Sequence, residues 1–106
     1  MIMKLLKIIF IFFIINNNLL ANTDYFNQGL ILFKKNDLEK AKFKFEQDLV
    51  LNPKNEEATY NLAQLKLKKS DFEGSKKLIE KLIIFCKDYC QKSQSLKIEI
   101  EKSQKK

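Results

Sequence analysis

The chain has no histidine and no tryptophan, and all 20 of its basic residues are lysine, so arginine is missing too. Without histidine there is no Ser-His-Asp or Cys-His nucleophile system and no imidazole metal ligand. Without arginine there is no guanidinium fork to grip a phosphate or a guanine edge through two bonds. Two glycines and one proline in 106 residues leave little loop material and no glycine-rich phosphate cradle. What remains is rich in lysine, leucine, isoleucine and glutamate, residues that suit helices. Length and composition together indicate one all-α domain.

The first stretch stands apart from the rest. Lys4 and Lys7 make a positive start, residues 8–15 are an uninterrupted apolar run, and Asn16, Asn17 and Asn18 break it. Leu19, Leu20 and the small Ala21 follow, a pattern suited to cleavage of a secretory signal over residues 1–21. A bilayer span needs about 20 apolar residues, and this run is far shorter. A retained anchor and a buried helix are the competing readings. Cleavage leaves 18 lysines against 13 acids, a milder excess than the full chain's +7. The charges are mixed throughout, and export argues against nucleic acid as a partner.

Sliding residues 22–106 along themselves exposes an internal repeat at an offset of 34. Asn27 meets Asn61, Lys34 meets Lys68, Lys35 meets Lys69, Asp37 meets Asp71, and Glu39 meets Glu73. Further along, Lys42 meets Lys76 and Glu46 meets Glu80. Each unit reads as two helices. In unit one (22–55), Tyr25, Gly29 and Leu32 share one face and Phe26, Leu30 and Phe33 its neighbour. Asn36 and Asp37 form a turn, Asp37 is placed to cap the next helix, and Leu38, Ala41, Phe45 and Leu49 form its core stripe. Pro53 ends the unit by disfavouring helical geometry at Asn52. Unit two (56–87) repeats the layout, with helices over 56–69 and 72–85.

Tyr25, Gly29, Ala41, Phe45 and Pro53 stand at the spacings of a tetratricopeptide repeat, and the chain resembles that family. Gln28 and Leu32 depart from its pattern, and in unit two Leu62, Ala63, Ser75 and Ile79 match in kind while Lys66 and Lys87 do not. The resemblance implies a short right-handed solenoid whose small residues, Gly29 and Ala41, let helices cross closely. It also implies a protein-binding module in which the first helix of each pair lines a concave surface. On this chain that surface comprises Phe26, Leu30, Phe33, Tyr60, Gln64, Leu67 and Lys68. A carboxylate clamp, as in some relatives, is disfavoured: Asn61 fits one, but Phe26 and Leu30 stand where its polar partners belong. An apolar groove for a partner segment is one reading of these residues. The other is that they are core, covered by the tail or by a second copy.

Two pairs are fewer than a stable stack usually needs. Tyr89, Ser93, Leu96 and Ile100 recur at helical spacing, which makes residues 88–104 a capping helix. The 96–100 alternation also fits a strand, but a lone strand would have nothing to pair with. Cys86 and Cys90 lie at the join. A disulfide across the turn suits an exported chain; two free thiols, or a redox or metal role, are the alternatives. Four-residue spacing serves a disulfide poorly inside a regular helix, and two cysteines without histidine cannot close a zinc site.

No nucleophile–base pair or carboxylate dyad emerges, and no cofactor is implied. The expectation is a non-enzymatic adaptor in the cell envelope, periplasmic or secreted, bound to another envelope protein or peptide. Self-association as a homodimer, and weak lysine-mediated attraction to an anionic membrane surface, are the alternatives. Any other membrane attachment would run through an uncleaved N-terminal segment.

Overall fold

A computed structural model describes residues 24–105. The apolar run of residues 8–15 and the cleavage site after Ala21 lie outside the described residues. Five helices follow one another: α1 (Tyr25–Lys34), α2 (Leu38–Leu51), α3 (Glu56–Lys68), α4 (Phe72–Phe85) and α5 (Cys90–Gln104). Helix α1 packs on α2 and α3 on α4, and α2 joins the two pairs by packing on α3. The result is an all-α, tetratricopeptide-like solenoid, with no strand among the described residues. The 96–100 alternation is helical.

Both within-pair turns use the same device. Asn36 and Ser70, 34 residues apart, are the two non-glycine residues with positive φ among the described residues, at 63° and 62°. At each turn the last carbonyls of the first helix are satisfied by the chain leaving it. Asn36 N–H donates to Phe33 and Asp37 N–H to Leu32, and Ser70 and Asp71 do the same to Leu67 and Lys66. The N-caps are less uniform. Asn55 accepts from Ala58 N–H at 3.2 Å and Asp71 from Gly74 N–H at 3.0 Å. Asp37, expected to cap α2, makes no side-chain cap bond and lies 3.9 Å from the Lys40 amine. The Asp71 carboxylate folds into space that a Cβ on Gly74 would fill. The residue matching Gly74 in the first pair is Lys40, whose amine is the Asp37 carboxylate's partner instead.

Two apolar clusters hold the stack. Ala41, Phe45, Leu62 and Leu65 join the first pair to the second. Ala63, Ile79, Leu82, Leu96 and Ile100 join the second pair to α5. Full burial of a leucine, isoleucine or phenylalanine stabilises by about 1.5–3 kcal/mol. The close crossing of the first pair depends on Gly29, because an added Cβ would sit 2.7 Å from the Phe45 ring. In the second pair Ala63 takes that place, and Ser75 donates its hydroxyl to the Ala63 carbonyl at 2.7 Å. That bond satisfies a hydroxyl that is wholly buried.

Candidate functional site

Helix α5 does more than cover the end. It begins at Cys90, 34 residues after the start of α3 at Glu56, and it packs on α4 and α3 as α3 packs on α2 and α1. It is the first helix of a third unit. Leu62 and Leu96 are register partners and are buried alike, 2% and 3% exposed. Helices α1, α3 and α5 therefore stand in equivalent places and form one side of the solenoid.

On that side the candidate residues keep one flank in the core and turn the other toward a shared surface. Phe26, Leu30 and Phe33 are half-buried and pack on the first cluster. Phe26 and Phe33 rings lie 6.0 Å and 6.2 Å from the Phe45 ring, the second edge-on. Tyr60 and Leu67 pack on the second cluster, Gln64 is half-buried and Lys68 is exposed. Gln64 donates its amide N–H to the Tyr60 phenol at 3.3 Å. Burial, with Glu99 adding its charge, raises the Tyr60 pKa above its ordinary value, so the phenol stays protonated at neutral pH.

An open cleft of about 370 Å³ runs between Phe33 of α1, Gln64, Leu67 and Lys68 of α3, and Leu96 and Glu99 of α5. It brings together four of the seven sequence-derived residues. Phe26, Leu30 and Tyr60 lie outside it, further toward the helix N-termini. Asn61 donates its amide to the Glu57 carbonyl of its own helix at 2.8 Å, so that donor is already engaged. Leu96 and Glu99 escaped the sequence reading because the tail was treated as a lid. Extending the 34-residue offset past residue 85 matches Leu62 with Leu96 and marks the tail as a third unit, but it pairs Glu99 with Leu65 and gives no sign of a polar wall there.

The cleft's third wall is fixed by an arrangement that no sequence pattern announced. The Glu56 carboxylate, at the start of α3, accepts from the backbone N–H groups of Lys87, Asp88 and Tyr89 at 2.6, 3.2 and 3.3 Å. The Lys87 bond above all holds the carboxyl below its ordinary value, opposed by desolvation and aided by the Tyr89 and Asp88 bonds. Tyr60 and Tyr89 rings meet at 5.5 Å beside it. Cys86 and Cys90 are disulfide-bonded around the same turn, Cα atoms 5.3 Å apart. Cys86 has left α4 with an extended backbone, which is how four-residue spacing accommodates the bond. At the other inter-unit turn, buried Asp48 accepts from Asn55 at 2.7 Å and Asn52 at 3.3 Å.

Residues 23–55 match the family model of the tetratricopeptide repeat. That segment is similar to a tetratricopeptide repeat. The matched segment is the α1–α2 pair with its flanking turns, and α3–α4 continues its register. Among curated proteins, none matches the chain. Tetratricopeptide repeats serve in protein–protein interaction and are typically not enzymes. Among the described residues no helix is long and apolar enough to cross a membrane.

Proposed function

We propose that this chain is an exported adaptor of the tetratricopeptide-repeat type that holds a segment of another envelope protein against α1, α3 and α5. The supporting observation is the cleft: three register-equivalent helices contribute an apolar floor of Phe33, Leu67 and Leu96 beside polar Gln64, Lys68 and Glu99. Such a surface suits a partner with apolar anchors and polar flanks. Export is supported by the signal-like pattern of residues 1–21 and by the Cys86–Cys90 bond, which fits an oxidising compartment.

The test is a photo-reactive residue placed at Gln64 in the chain expressed in its own cell, followed by mass spectrometry without reductant. The expected product starts at Asn22 and carries a covalent adduct to a different envelope protein. An adduct to a second copy would replace the adaptor with a homodimer. An intact Met1 with both thiols reduced would end the export reading. Self-association has its own motivating observation: Val50 and Ile84, register partners on α2 and α4, are both highly exposed apolar residues.

A further inference from the structure

Lys34, Lys68 and Lys102 stand one repeat apart, each in the last turn of its helix, α1, α3 and α5 respectively. All three are exposed, and among the described residues none is in an ion pair. Their neighbours behave differently: Lys66 is paired with Asp71 and Lys69 with Glu39. A helix C-terminus favours a lysine for its own sake, which accounts for each one singly. It does not account for the same exposed, unpaired ammonium group at the same place on the first helix of each of three units. The three repeat one exposed positive charge along the same side of the solenoid, a pattern that an anionic partner would complement. The row also borders the cleft, since Lys68 forms part of its wall beside Phe33, Leu67 and Leu96.

From this row we infer that the partner segment is an acidic–apolar peptide. Its apolar side chains enter the cleft and its carboxylates lie along Lys34, Lys68 and Lys102. The inference rests on the groove reading and adds the partner's charge. Glu99, a turn before Lys102 on α5, gives the site polarity: it disfavours an acid at its own rim and so confines the carboxylates to the lysine edge.

The test pans the oxidised mature chain against a random peptide library displayed on phage. Expected binders carry Asp or Glu beside Leu, Ile or Phe. The triple variant K34Q/K68Q/K102Q weakens the selected peptide about tenfold, the sum expected of three exposed charge pairs. The wild-type advantage shrinks with added salt. Each lysine also favours its own helix end, so affinity is compared at a temperature where circular dichroism shows the variant folded, while K77Q/K81Q on α4 leaves affinity unchanged. Apolar binders without acids, or acidic binders insensitive to the triple variant, would overturn the partner's charge and leave the groove standing. No binders above bare support would overturn the groove and this inference together. Capture by phosphatidylglycerol vesicles with no peptide selected would reassign the row to an anionic membrane.

Discussion

The first helix pair is the one that matches the tetratricopeptide pattern, yet the second pair is the better buried. Ile31 of α1 is 54% exposed, while its register partner in α3, Leu65, is fully buried. Helix α1 buries only Gly29, whereas α3 buries Ala58, Thr59, Leu62, Ala63 and Leu65. Position in the stack explains the inversion. The second pair has a neighbour on both sides, α2 before it and α5 after it. The first has only one described neighbour. At its free end Tyr25 lies under the Lys44 amine at 5.3 Å, and Gln47 keeps a buried carbonyl oxygen without a partner among the described residues. In a solenoid a repeat's stability belongs to its interfaces more than to its own fit to the consensus.

The sharpest way to break that comparison is at the shared interface. Phe45→Ala empties the junction between the pairs and is expected to cost about 3–5 kcal/mol, enough to abolish the cooperative urea transition of so small a domain. Survival of a folded α3–α5 unit by circular dichroism would show the second pair to be self-sufficient. Reduction of Cys86–Cys90 acts on the other side. A loop this short contributes about 2 kcal/mol in the chain-entropy description. Dithiothreitol should therefore lower the urea midpoint and speed amide exchange in α5 while α1 and α2 keep their rates. Equal loosening of both pairs would contradict the interface account.

Gly29→Ala tests the crossing of the first pair. Alanine should gain about 1 kcal/mol of helix propensity, but the clash with Phe45 is expected to cost about 1–3 kcal/mol. The expected result is a lower melting temperature, and a rise would show that the Phe45 ring can yield. The turns are a gentler contrast. Asparagine tolerates the left-handed conformation at position 36 better than serine does at position 70. Ser70→Gly should stabilise by up to about 1 kcal/mol, and Asn36→Gly by less, read from paired thermal melts.

The smallest expected effect concerns Glu56 and pH. Its pKa is lowered in the folded state, chiefly by the Lys87 N–H, so the ionised form favours folding. That contribution is full above the unfolded pKa, near 4.5, and disappears as pH falls through the lower folded value. Glu56→Gln should therefore lower the urea midpoint at neutral pH and converge with the parent chain under strong acid. A gap that persists undiminished there would show that the carboxylate's charge is not what holds the turn.

Much of the fold was legible because helical repeats write themselves locally. The 34-residue offset, the Leu38-Ala41-Phe45-Leu49 stripe and the stop at Pro53 mark helices that the structure forms at nearly those bounds. The disulfide across the turn was one of several open readings. Asp37 makes no cap bond and meets the Lys40 amine instead, a choice between two partners that the matching acids at 37 and 71 do not reveal. A third of the cleft's lining was hidden because Leu96 and Glu99 reach it only through α5 packing on α3.

Sequence by itself determined the helices, their period and the small residue at each crossing, since propensity, capping and close approach are settled within a few residues. Tertiary structure decided which repeat is buried, that the tail is a third first-position helix, and that Glu56 closes on a turn 31 residues away. Those facts depend on what lies beside each helix, and neighbours across a stack leave no periodic mark in the chain.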